Sequence, residues 1–173
     1  DVARLATEPE RDQSSRERAP LQEVLGLAGE RLESSERDFL RDSKPAGIIL
    51  FARNCAAPTQ IASLVAEARA AIGAEDTLVL IDQEGGRVRR LRPPQWRELP
   101  PAAAYARLAS RDEHAAVRCA RLAAQLTASD LKSMGIDTNC APVLDVVIPG
   151  AHEIIGDRAY GSEPNQIIRL GGA

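Results

Sequence analysis

The feature that most constrains this chain is a pair of continuous apolar runs, Gly47-Ile48-Ile49-Leu50-Phe51 and Thr77-Leu78-Val79-Leu80-Ile81, with a stretch of helical periodicity between them. A run that is apolar at every position offers no polar face to water. It predicts a parallel strand covered on both sides. In the intervening stretch Pro58 opens a helix reaching to about Ile72. Its apolar positions Ile61, Leu64, Val65, Ala68 and Ile72 form one stripe, and Gly73 closes it. Strand, helix, strand in that order implies parallel pairing through a right-handed crossover.

The same alternation extends in both directions. Glu23 to Gly29 reads as a short buried strand closed by glycine. Ser34 or Ser35 caps the following helix, with Glu36 and Asp38 in its first turn. Residues 83–105 form a long polar connection holding Pro93-Pro94 and Pro100-Pro101, and connections of that length are more often functional than idle. Asp112 caps a long helix to Met134, closed by Gly135. Ile136 to Leu144 carries the next strand, and Pro142 marks where regular pairing ends. Ser162 to Pro164 opens a helix running to the end of the chain. Residues 1–20 mix charges of both signs with Pro9 and Pro20 and read as a solvated, disordered tail. The fold class is therefore α/β with a parallel sheet. Two architectures fit, a doubly wound open sheet and a (β/α)8 TIM barrel, and local pattern does not separate them. A barrel of roughly 250 residues is longer than the 173 present.

Composition removes several functions. A net charge of −3 argues against non-specific nucleic-acid binding, which needs a basic surface. No apolar run approaches the ~20 residues of a membrane span, and the first residues lack the apolar stretch of a secretory signal. Cys55, Cys119 and Cys140 are widely spaced with no CxxC pair. They read as buried, reduced thiols of a cytoplasmic protein rather than a disulfide framework or a zinc site. No metal or organic cofactor is implied. Aromatic content is 3%, supplied by Phe39, Phe51, Trp96, Tyr105 and Tyr160, so any sugar site must lean on carboxylates, guanidinium groups and backbone amides.

In either architecture ligands bind beyond the C-terminal ends of the strands. There the sequence places Ala52-Arg53-Asn54, then Asp82-Gln83-Glu84-Gly85-Gly86-Arg87, then Asp145 with Ile155-Gly156-Asp157-Arg158 in the loop after it. Carboxylates and arginines converging on one mouth suit a polyhydroxylated ligand, the former accepting from hydroxyls and the latter donating to ring substituents. Gly85-Gly86 permits close backbone approach, but neither GxGxxG nor GxxxxGK[ST] is present. Plainer readings exist for each residue. Asp82 also suits a turn cap, Asp145 an arginine's structural partner, and Asp157 with Arg158 a surface pair. Most of the run Arg87, Arg89, Arg90 and Arg92 reads as solvated, and His114 and His152 as exposed.

Four segments in this order, GIILFARN at 47–54, IDQEGGRVRR at 81–90, APVLD at 141–145 and IGDRAY at 155–160, resemble glycoside hydrolase family 3, in particular the bacterial cytoplasmic β-N-acetylhexosaminidases of peptidoglycan recycling. The resemblance covers roughly Leu21 to Ala173. It implies a (β/α)8 barrel of which about the first half is present, and retaining hydrolysis of terminal non-reducing β-linked N-acetylglucosamine from saccharide or muropeptide substrates. By the same resemblance Asp82 holds sugar hydroxyls, Arg90 and Arg158 complete the substrate ring, Asp145 supports Arg158, and Arg87 belongs to the motif. The family's histidine acid/base lies just beyond a lysine-histidine-x-proline-glycine-histidine-glycine motif, and its aspartate nucleophile on a later strand. Neither segment is found in this sequence. No catalytic residue is therefore assigned, and the fragment is expected to be inactive alone. The alternative reading is a non-catalytic sugar- or phosphosugar-binding half-barrel or an inactive fragment. Exposed sheet edges imply self-association.

Overall fold

A computed structural model describes residues 23–148, 150 and 152–173. The tail expected over residues 1–20 lies outside them. In chain order the elements are β1 (Val24–Gly26), α1 (Ser34–Ser43), β2 (Gly47–Leu50), α2 (Pro58–Ile72), β3 (Leu78–Ile81), α3 (Ala102–Ala109), α4 (Glu113–Ser133), β4 (Thr138–Asn139) and α5 (Pro164–Gly171). The strands form one parallel sheet in the order β1-β2-β3-β4. A doubly wound sheet reverses its strand order at a switch point. Here each strand pairs with its predecessor without reversal, which is how a (β/α)8 barrel begins.

The β2–β3 register explains the core. Ile48 pairs with Val79 and Leu50 with Ile81, and all four side chains are 0% exposed. They pack with Ile61, Leu64, Val65, Ala68 and Ile72, the stripe that periodicity predicts on α2. Pro58 stands at the start of that helix and Gly73 caps its end. The opposite face differs from the expectation of cover on both sides. Leu78 is 45% exposed there, and Ile49 and Leu80 are only partly buried. In a closed barrel that inner face is covered by strands across the barrel, and these four strands do not close on themselves.

Other departures have local causes. Glu33, not a serine, stands at the N-cap of α1, and Glu36 instead accepts from the Ala28 amide at 2.9 Å, holding the loop after β1. The strand expected over Ile136–Leu144 shrinks to Thr138–Asn139, because Pro142 has no N–H to donate and nothing in the sheet lies outside β4. The long connection contains α3, an alanine-rich helix. It packs with α4 and α5 through a second cluster of Tyr105, Ala116, Ala120 and Leu170. Asp112 caps α4 as expected, accepting from the Ala115 amide at 2.9 Å, and α5 stops at Gly171. Among the described residues no helix is long and apolar enough to cross a membrane.

The two faces of the sheet should differ in stability. Leu50→Ala is expected to cost about 2–5 kcal/mol, as buried leucines do. Leu78→Ala should cost under about 1 kcal/mol. Urea denaturation of both variants checks this, and equal losses would contradict the one-sided core.

Candidate substrate site

The site follows from side-chain parity. Side chains alternate across a sheet, so with Leu50 and Ile81 turned toward α2, Phe51 and Asp82 emerge on the open face. Cys140 continues the row, its amide donating to the Ile81 carbonyl at 2.8 Å. Phe51, Asp82 and Cys140 thus stand side by side at the C-terminal ends of β2, β3 and β4.

The segment after β3 folds back over this row. The Glu84 amide donates to the Val88 carbonyl at 3.0 Å and the Gly86 amide to the Leu99 carbonyl at 2.9 Å. Both glycines have positive φ, +96° at Gly85 and +58° at Gly86. A Cβ on Gly85 would lie 2.5 Å from the Pro100 carbonyl oxygen, and one on Gly86 2.6 Å from the Pro101 Cβ. Only glycine fits either position. Their role here is a tight turn packed on the Leu99–Pro101 strap.

That turn returns Arg90 to Asp82, with the guanidinium 2.7 Å from the carboxylate and both side chains about three-quarters buried. Arg90 also lies 5.8 Å from the Phe51 ring centroid, which Arg53 approaches at 4.7 Å. Arg158 reaches the same mouth from the loop after β4. It grips Glu84 in a bidentate pair, Nε to Oε2 at 2.9 Å and Nη2 to Oε1 at 2.7 Å. That hydrogen-bonded pair, with the charges of Glu84, Asp145 and Asp82, raises the Arg158 pKa and holds it as a cation against burial. Asp145 is itself exposed and acts on Arg158 through its charge.

Asp82, Arg90 and Arg158 are therefore brought together, with Asp145 at their edge. Arg87 is not one of this group. Its Nε donates to Asp157 at 2.8 Å, and its Nη2 to the carbonyls of Glu153, Ile154 and Ile155, so it clamps the loop that carries Arg158. Asp157 and Arg158 do not form the surface pair that their adjacency suggests, since each is bonded elsewhere. The arginine run is also less solvated than expected: Arg89 bonds Glu98 at 2.6 Å and the Gly86 carbonyl, while Arg92 is exposed. His114 and His152 are exposed as expected, and His152 Nδ1 accepts from the Ile154 amide.

The sequence places Glu84 at the mouth without giving it a role, and it does not single out Phe51 or Cys140 as site residues. The signal was the two-residue spacing that puts Asp82 and Glu84 in reach of one mouth, but without the loop's path it did not show which arginine each carboxylate meets. The expectation of buried thiols is corrected too. Only Cys55 is largely buried, and burial pushes its pKa up to about 11. Cys119, on α4, and Cys140, at the open mouth, are exposed. Among the described residues no cluster of histidine, cysteine and carboxylate side chains could hold a metal ion. Beside the site a cavity of about 680 Å³ lies between α3, α4, α5 and the segment after β4, with Glu84, Arg158 and Tyr160 in its lining.

The sequence and fold are similar to those of known proteins. Residues 17–173 match the N-terminal domain of glycosyl hydrolase family 3. The chain belongs to that family. It is 41% identical over 145 residues to a β-hexosaminidase of Xanthomonas axonopodis pv. citri, covering 84% of this chain and 42% of the relative. A β-hexosaminidase of Methylococcus capsulatus is 43% identical over 144 residues, covering 83% and 41%. Among solved structures, NagZ from Neisseria gonorrhoeae superposes with a TM-score of 0.81 at 30% identity, over 88% of this chain and 44% of that one. A family 3 β-N-acetylglucosaminidase from Paenibacillus gives 0.75 at 33% identity, over 86% and 27%. The chain thus spans about two-fifths of the length of the curated relatives it matches.

The contact between Asp82 and Cys140 is open to test. Although Cys140 is exposed, partial desolvation of its thiol raises the pKa first, and the charge and hydrogen bond of Asp82 raise it further, with Arg90 opposing. Removing the charge with Asp82→Asn should bring the thiol pKa down and raise the thiolate fraction. Since the thiolate is the reactive form, iodoacetamide labelling of Cys140 at pH 8, followed by peptide mapping, should quicken. An unchanged rate would mean that the two side chains do not interact.

Proposed function

We propose that this chain is the sugar-binding part of a retaining β-N-acetylhexosaminidase that releases terminal, non-reducing β-linked N-acetylglucosamine from peptidoglycan fragments in the cytoplasm. The observation that carries the reading is the Asp82–Arg90 pair standing at the strand ends beside Arg158. Asp82 is a quarter exposed and offers lone pairs to sugar hydroxyls. Arg90 and Arg158 donate to ring substituents from fixed positions, which gives directional, charge-assisted hydrogen bonds. Asp145 tunes Arg158, and Arg87 holds the loop that delivers it.

Retaining hydrolysis also needs a nucleophile and an acid/base flanking the scissile bond. Glu84 is committed to Arg158 through both oxygens, and His152 is engaged by its own loop. The chain alone should therefore bind but not cleave. Titration calorimetry with N-acetylglucosamine should give saturable binding that Asp82→Ala abolishes. A chromogenic β-N-acetylglucosaminide should be hydrolysed only by the product of the reading frame continued past Ala173. Binding without hydrolysis by that longer product would favour a non-catalytic sugar-binding protein. No binding and no hydrolysis would reject the proposal.

The uncovered sheet face and the short edge strands β1 and β4 also favour association of this chain with itself or with the strands that complete the barrel. Multi-angle light scattering should give a mass above that of one chain. A monomer peak with cooperative melting would refute this.

A further inference from the structure

We propose that Gln83 and Asn139 form a two-amide positioning device that holds Arg90 against Asp82, so that both are positioning residues for the substrate site. The inference rests on the reading of Asp82 and Arg90 as sugar-binding residues. Gln83 lies between the two site carboxylates but is turned away from the mouth and is only 8% exposed. Its Oε1 accepts from the Arg90 amide at 2.9 Å and the Leu91 amide at 3.0 Å, and its Nε2 donates to the Leu91 carbonyl at 3.3 Å. The three bonds all end on the backbone of Arg90 and its neighbour. Asn139, from β4, grips Gln83 in turn. Its Oδ1 accepts from the Gln83 amide at 2.9 Å and its Nδ2 donates to the Gln83 carbonyl at 2.9 Å.

The state of Arg90 makes an external hold necessary. Its Nε is buried with no hydrogen-bond partner, and a buried unpaired donor is unfavourable. Left to itself, so long a side chain would swing toward water. The guanidinium stays at Asp82 because its backbone is fixed seven residues beyond Gln83, on the return of the Gly85-Gly86 turn. Asn139 extends the hold across the sheet, so the position of Arg90 depends on β4 as well as β3.

A double-mutant cycle on the full chain tests this, with N-acetylglucosamine as the probe in calorimetry. Gln83→Leu should weaken binding about tenfold, the size of one lost hydrogen bond to a charged group. Gln83→Glu keeps an acceptor for both amides and should retain most of the affinity. In an Arg90→Ala background Gln83→Leu should add nothing, since it acts through Arg90. Additive losses would overturn the proposal, as would unchanged affinity in Gln83→Leu. If Gln83→Leu does not fold, Asn139→Ala takes its place in the cycle, with the same two overturning results. A readout without sugar separates this proposal from the sugar-binding reading. The Arg90 Nε–H resonance should be slow to exchange with solvent in the wild type and fast in the variant. If the wild type binds no sugar, that resonance alone decides: loss of protection supports the positioning device, and retained protection refutes it.

Discussion

The pairing of β2 with β3 is the constraint on which the rest of the structure depends. Ile48 against Val79 and Leu50 against Ile81 place one face of the sheet on the α2 stripe. A shift of one residue would turn every side chain over. Burial of those four residues therefore decides more than stability. It decides that Phe51 and Asp82 emerge on the open face, and it leaves Gln83 to fall on the buried side, where its amide can close the loop. The chemistry of the mouth inherits its geometry from the packing beneath it.

The mouth is organised by arginines with separate duties. Arg90 and Arg158 each meet a carboxylate within the site, at Asp82 and Glu84, whereas Arg87 ties down the backbone of the loop after β4. Partly buried pairs of this kind add little net stability, because desolvation offsets the Coulombic attraction. Their value lies in orientation. A guanidinium held by a fork of two hydrogen bonds presents its remaining donors in fixed directions, as the proposed sugar site, with few aromatic side chains, requires. Phe51 is the exception, supplying a ring face to Arg53 and Arg90.

Membership in glycosyl hydrolase family 3 fits this division of labour. In a barrel enzyme, residues from several strand ends share one mouth, and the strands here contribute only an arc of such a mouth. The same incompleteness explains the uncovered inner face, where Leu78 is 45% exposed, although its run reads in sequence as fully buried.

By itself the sequence determined the strand-helix alternation, the α2 stripe, the Asp112 cap and the order of the family motifs, because each depends on neighbours within a few turns of chain. It also brought Asp82, Arg90, Arg158 and Asp145 forward as strand-end or loop residues. Local pattern left the barrel and the doubly wound sheet open and only the family motifs implied a barrel; the unreversed strand order itself, a long-range property, came with the tertiary structure. It assigned Arg158 to Glu84 across 74 positions and Arg87 to Asp157 across 70. It also revealed α3, whose alanines carry no strong pattern, and exposed Cys119 and Cys140. Local periodicity reports which face of an element is apolar. Which partner covers that face, and which charge a given arginine meets, is set by where distant segments pack.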